Sequence, residues 1–290
     1  MITTTGFKRI VLATDGSDHA QAAIEATIAL GGTSSAEVLV VHVWNFEVYP
    51  DDVPMETESR GDAAALVLKT LEKLRDGGMV AEAKVCEANG AGIAQTIAHV
   101  AREFNADLVI LGSRGLSDWQ SIFKHSVSHQ VLAAVNCPVL VVRGRLTIEA
   151  SSPRRVLLAI AGGDDVAPCV RAAVAAAQTP SSEVMVVHVA QALVGPQGFA
   201  YVEPPEEIHA TMASALGILK DSSIKAQGVI AHTSPVADSV AEIAQTWKAD
   251  IIVVGSRRMG DLGGLILGSV SHSLLHTTTR PVLIAERMDK

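Results

Sequence analysis

The chain contains one pattern written twice. From Asp107 it reads DLVILGSRGLSDWQSIFKHSVSHQVL, and from Asp250 it reads DIIVVGSRRMGDLGGLILGSVSHSLL. Each copy runs an apolar stretch into Gly-Ser-Arg, then a loop, then Ser-Val-Ser-His opening a helical pattern. The offset is 143 residues (250 − 107). Upstream, KRIVLATDGSD matches RRVLLAIAGGD, and VLVVHVW from Val38 matches VMVVHVA from Val184, at an offset of 146 (184 − 38). A duplicated unit with a small net deletion between its second and fourth strands accounts for both offsets. Such a chain folds as two like domains, here assigned to residues 1–146 and 152–290 with a linker over Gly144–Pro153. A length of 290 residues gives each domain enough chain to bury its own core.

Within each copy, strand and helix patterns alternate. In the first, Arg9–Thr14, Glu37–Trp44, Ala81–Glu87, Asp107–Gly112 and Pro138–Arg143 read as strands. Ser17–Leu30, Gly61–Arg75, Gly92–Phe104 and Ser126–Ala134 read as helices. Ser17 or Asp18 is placed to cap the first helix, and Gly31-Gly32 and Gly77-Gly78 to stop the first two. Asn45–Arg60 is polar and reads as a loop. Near-continuous Val/Ile/Leu strands separated by helices predict a parallel sheet covered on both faces. The expected fold is α/β: two tandem doubly wound domains, the second repeating the first over Arg155–Glu286.

Composition excludes several classes of function. A net charge of −8 argues against a nucleic-acid binder, whose affinity rests on basic contacts to phosphate. No apolar run approaches the roughly 20 residues of a membrane span. Three cysteines without a spacing motif fit a reducing compartment, and the start MITTTGFKRI has no apolar signal core. A cytoplasmic location is expected.

In an open parallel α/β sheet, ligands bind beyond the carboxyl ends of the strands where the winding reverses. Ala13-Thr14-Asp15-Gly16-Ser17 follows the first strand, and Leu111-Gly112-Ser113-Arg114-Gly115 follows the fourth. Glycine lets a ligand approach the backbone, and the free N–H groups of the helix beginning near Ser126 point to the same end. A nucleotide lying across strands one and four fits this arrangement. Alone, a Gly-Ser-x-Gly more often only turns the chain, and Asp15 is as readily an N-cap. The duplicated combination with a Ser-x-Ser helix start is far more specific.

These residues resemble the universal stress protein family, in a tandem form with two such domains in one chain. The resemblance rests on VLATDGSD, the VVHVW strand, the GSRG loop, the SVSH helix start and CPVLVVR, and it covers nearly the whole chain. It implies a five-stranded parallel sheet in each domain and ATP or another adenine nucleotide, with or without Mg. It also implies pairing through the last strand. By resemblance, Asp15 and the backbone of Val43 lie at the adenine, and Gly112, Arg114 and Gly115 along ribose and phosphates, with Ala13, Thr14 and Leu111 also among the nucleotide-binding residues. Ser126, Val127 and Ser128 present hydroxyl and N–H groups to the phosphates. The family signature is Gly, two residues, Gly, nine residues, then Gly-Ser or Gly-Thr. Its third glycine is His125 here, whose imidazole either bonds a phosphate or fills the pocket.

The second copy keeps Gly255, Gly268 and Ser269 but has Arg258 for the second glycine and Ala161 for the acidic residue. Arg258 is expected to occupy the site or pair with Asp261. Nucleotide is therefore expected in the first domain, with the second impaired or empty. The resulting reading is a stress-response sensor or scaffold, paired as a homodimer and acting on an unidentified protein partner. The competing reading is an interaction module with both clefts closed. No Walker motif, GxSxG elbow or general base appears, so at most a slow ATPase is expected. His272 and His276, four apart on a helix, lack a third metal ligand, and His42 and His188 read as satisfied core or rim residues. Trp119 and Phe123 are placed to cover a ligand or meet a partner, and Cys137 reads as inert.

Overall fold

The computed structural model describes residues 6–44, 47–48, 54–55, 59–88, 92–113, 127–143, 153–161, 166–179, 181–195, 198–232, 235–258, 265–266 and 268–285. The first half contributes strands β1 (Arg9–Ala13), β2 (Glu37–Trp44), β3 (Val80–Glu87), β4 (Leu108–Ser113) and β5 (Val139–Arg143). Its helices are α1 (Asp18–Gly31), α2 (Arg60–Asp76), α3 (Ile93–Glu103) and α4 (Val127–Ala134). The second half contributes β6 (Arg155–Ile160), β7 (Glu183–Val189), β8 (Lys225–Ala231), β9 (Ile251–Gly255) and β10 (Val282–Ala285). Its helices are α5 (Ala167–Ala177), α6 (Pro205–Lys220), α7 (Val236–Thr246) and α8 (Ser269–Thr277).

All ten strands form one sheet in the order β8-β7-β6-β9-β10-β5-β4-β1-β2-β3. Within each half every pairing of this sheet is parallel, and the winding reverses between β1 and β4 and between β6 and β9. The halves meet where β10 pairs antiparallel with β5, Leu283 opposite Leu140. The closing strands, through which the resemblance implied pairing, thus pair inside one chain.

Strand periodicity feeds two cores, one on each face of the sheet. Ile10, Leu12, Leu108 and Ile110 join one cluster with α1, α2, α5 and α6. Val11, Val109 and Leu111 join the other with α3, α4, α7 and α8. Each cluster draws residues from both halves, so the strand junction is flanked by continuous apolar packing on both sides.

The start of each half is clamped in the same way. Asp107 accepts the backbone N–H groups of Lys8 and Arg9 at 2.7 and 2.9 Å, and Asp250 those of Arg154 and Arg155 at 2.8 and 2.9 Å. The guanidinium of Arg9 lies 4.5 Å from the ring centre of Phe104, and that of Arg155 lies 5.9 Å from Trp247. A carboxylate therefore fixes the register of the first and fourth strands in each copy by holding two donors that would otherwise face solvent.

Several local expectations change. Within the expected loop Asn45–Arg60, Glu47–Val48 pairs antiparallel with Pro54–Met55. α2 begins at Arg60, where Ser59 Oγ accepts from Asp62 N at 3.1 Å. Ser17 stands at the N-cap of α1, but its hydroxyl donates to Asp15 and makes no cap. At the end of α1, Gly32 stays helical at φ −60, and Ser35 takes the left-handed turn at φ 52. In the second half, Ala192–Gly195 and Gly198–Tyr201 form a ribbon, as do Arg257–Arg258 and Leu265–Ile266.

Candidate functional site

The first-half site is built where β1 and β4 end side by side. Ala13 is in register with Leu111, so the turn after each strand opens on the same edge of the sheet. Thr14 is buried and carries the ladder one step further, its N–H donating to Val41 O at 3.0 Å. Its carbonyl lies 2.8 Å from His42 Nδ1. The chain then turns through Gly16 at φ 71, where a side chain on residue 16 would run into Leu66.

This turn leaves the Asp15 side chain exposed at the strand end. One of its oxygens, Oδ1, accepts from Ser17 N at 3.0 Å and Ser17 Oγ at 2.6 Å. The carboxylate is held in place by its own turn. Val43 is buried on β2, and Gly112 is half-buried on β4. At the start of α4, Val127 is exposed and Ser128 half-buried. The expected contacts at Arg114, Gly115, His125 and Ser126 lie outside the described residues, as do Trp119 and Phe123.

A cavity of about 740 Å³ opens at the matching place in the second half. Ala161 after β6, Val189 at the end of β7, Gly255 at the end of β9 and Gly268 before α8 all line it. The side chain of Arg258, expected to occupy this cleft or to pair with Asp261, lies outside the described residues. Its backbone pairs antiparallel with Leu265.

Two lining residues were not foreseen as a pair. His188 is buried at the end of β7, and its Nε2 stands 2.8 Å from Oε2 of Glu203. The approach has the distance of an ion pair but not the angle of a hydrogen bond, and neither ring nitrogen has a hydrogen-bond partner among the described residues. The expectation of a satisfied core histidine holds for His42 and fails for His188. The signal available was the match of His188 to His42; Glu203 lies between β7 and α6, in a stretch that no motif marked.

A second histidine group lies at the junction of the halves. The rings of His129 and His272 are 6.4 Å apart, edge to face, and those of His272 and His276 are 4.9 Å apart. Burial and then the neighbouring His272 push the pKa of His129 down, and burial, His272 and Arg143 do the same for His276. Among the described residues no three His, Cys, Asp or Glu side chains are placed to hold a metal. His129, next to Ser128 on α4, faces a histidine of the other half.

The comparison with known proteins decides the family. A family model described as the universal stress protein family matches residues 6–143 and again 153–286. The chain belongs to the universal stress protein family. Universal stress protein Rv2005c of Mycobacterium tuberculosis is 26% identical over 300 residues, covering 96% of this chain and 97% of that protein. Universal stress protein YxiE of Bacillus subtilis is 30% identical over 152 residues, covering 47% of this chain and 99% of that protein. The crystal structure of a universal stress protein from Archaeoglobus fulgidus shares the fold at a TM-score of 0.69 and 20% identity, covering 99% of this chain and 100% of that one. Among the described residues no helix is long and apolar enough to cross a membrane.

Proposed function

We propose that this tandem universal stress protein binds an adenine nucleotide, ATP foremost and with or without Mg, in its first half. In this reading it acts as a stress-response sensor or scaffold in the cytoplasm. Residues 1–146 are the competent nucleotide unit, and residues 152–290 have lost that particular chemistry. The observation that carries the reading is the placement of Asp15. Its carboxylate is exposed at the end of β1, beside the Leu111–Gly112 end of β4, at the point where the sheet reverses its winding. The second half puts Ala161 in that place.

Asp15 and the Val43 backbone are assigned to the base, and Gly112, Arg114 and Gly115 to ribose and phosphate. His125, Ser126, Val127 and Ser128 complete the phosphate end, with the start of α4 supplying N–H groups and a partial positive charge. The architecture offers binding without an evident base for hydrolysis, so turnover is slow or absent. Pairing of two chains would use a surface other than β5, because β5 is already covered by β10.

Calorimetric titration with ATP and AMP, with and without Mg, tests the proposal. The native chain is expected to bind one nucleotide, and Asp15→Ala to weaken it by about tenfold, the worth of one hydrogen bond to a charged group. Absence of saturation at millimolar nucleotide, in protein that carries none on purification, overturns the reading.

A further inference from the structure

The two Ser-Val-Ser-His segments meet at the junction of the halves. His129 and His272 hold the same place in the two copies, 143 residues apart (272 − 129). Their rings stand 6.4 Å apart, edge to face. His276, one turn further along α8, places its ring 4.9 Å from that of His272. Its counterpart in the first copy is Ala133, so the cluster is not symmetric. All three imidazoles are half-buried. Arg143 is buried at the same junction, and its guanidinium donates to the carbonyl of Leu275, next to His276.

The charges around the cluster favour neutral rings. Burial and then His272 lower the pKa of His129, and burial, His272 and Arg143 lower that of His276. No carboxylate among the described residues counters either effect. On α7, which packs along α8, Asp238 lines the same cavity as His272 and His276. Glu242 of α7 and Arg280 border Thr277 and Thr278, further along. On α3, which packs on α4, His99 pairs with Glu103 and Glu103 with Lys84, while Arg102 is exposed. The loops leading into α4 and α8 carry more basic than acidic residues, Arg114 and Lys124 against Asp118, and Arg257 and Arg258 against Asp261. Those loop side chains lie outside the described residues.

We propose that His129, His272 and His276 form a proton-operated joint, which holds α4 to α8 while the imidazoles are neutral and releases the two helices from each other in mild acid. Each proton taken up adds a charge within 6.4 Å of another imidazole. Repulsion at that range, between half-buried groups beside a buried guanidinium, is stronger than in bulk water and little screened by salt. Separation lets water reach the charged rings. The rings of His129 and His276 therefore bind protons better in the separated arrangement, and that arrangement gains as pH falls below their ordinary 6.5. The β5–β10 pairing lies outside the cluster and keeps the halves together. Because α8 also lines the second-half cavity, one wall of that cavity becomes sensitive to proton concentration. The joint operates with or without a nucleotide in the first half.

Hydrogen–deuterium exchange of the full chain, read by mass spectrometry at pH 7.5 and pH 5.5, tests the joint. Labelling times are scaled to the intrinsic chemical rate. Peptides from α4 and α8 are expected to lose protection on the order of tenfold at the lower pH, the effect of one proton taken up over about one pH unit. Peptides from α2 and α6, on the opposite face of the sheet, are expected to keep theirs. The combined substitutions His129→Gln, His272→Gln and His276→Gln are expected to remove the response. His272→Arg, charged at both pH values, is expected to expose α4 and α8 already at pH 7.5. The proposal is overturned if α4 and α8 stay protected at pH 5.5, if α2 and α6 lose protection to the same degree, or if the triple variant responds as the native chain does. Should the triple variant not fold, unchanged protection of α4 and α8 in His272→Arg at pH 7.5 overturns it.

Discussion

The guanidinium of Arg143, at the end of β5, donates to the main-chain carbonyl of Leu275 in α8. A second, longer contact of 3.4 Å reaches Thr278 O. Arg143 is buried, so the last strand of the first half closes the carboxyl end of the last helix of the second with a cation. Gln178 does the reciprocal service on the opposite face of the sheet. It follows α5 of the second half, and its side-chain amide donates to Leu30 O at the end of α1. Each half therefore supplies a helix cap to the other, in addition to the β5–β10 pairing.

Arg143→Met is expected to lower unfolding free energy by about 2–4 kcal/mol, because it leaves buried carbonyl groups without their donor. Urea denaturation followed by tryptophan fluorescence measures this. A midpoint unchanged from the native chain would show that the contact contributes nothing to holding the halves together.

Gly16→Ala is expected to cost about 1–2 kcal/mol from the left-handed backbone alone. The added methyl would also lie 2.3 Å from Leu66 Cδ1, so Leu66 must move. The substitution is expected to shift the Asp15 turn and weaken nucleotide binding together with thermal stability. Full retention of both would mean that the turn relaxes without consequence.

Stability is expected to fall as pH drops from about 7 toward 5. His129 and His276 titrate below 6.5 in the folded chain, chiefly through burial. Unfolding restores the ordinary value, so the unfolded chain binds more protons in this window and is favoured as pH falls. The loss levels off below the folded values. The groups facing one another here are His129, His272, His276 and Arg143. Glu103 and Glu183, held down first by hydrogen bonds from Lys84 and Lys225, act only as pH falls below the usual 4.5. Melting temperatures measured from pH 5 to 8 are expected to show a shallower slope for His129→Gln and His276→Gln. Identical slopes in the native and substituted chains would contradict the assignment.

Cys137 is expected to resist alkylation in the folded chain at pH 8. Burial, and then the Asp107 carboxylate, push its thiol up to about 12, so almost none is thiolate. Peptide mapping after iodoacetamide treatment, with and without urea, reads this directly. Modification of the folded chain at the rate of a free thiol would show that the site opens readily.

Much of the edge formed by the ends of β1 and β4 was legible in the chain because it is built from local signals. The strand ends at Ala13 and Leu111 follow from apolar runs broken by Asp-Gly and Gly-Ser, and the structure sets those two residues in register. The helices were found within a residue or so of their ends, because burial recurs on one face, as at Val67, Leu71 and Leu74 of α2. Two-residue ribbons such as Glu47–Val48 with Pro54–Met55 escaped notice, since such a run is too short to show a period.

What the residue order determined is the duplication, the alternation of strand and helix, and which face of each element is buried. Those properties depend on neighbours two, three or four positions away. Only the tertiary structure decided that β5 would lie antiparallel to β10 and that Arg143 would cap α8. It also decided that His188 would meet Glu203 while His42 met its own strand's neighbour. Such contacts join residues brought together by the winding of the sheet and the closure of the two halves, and no local period records them.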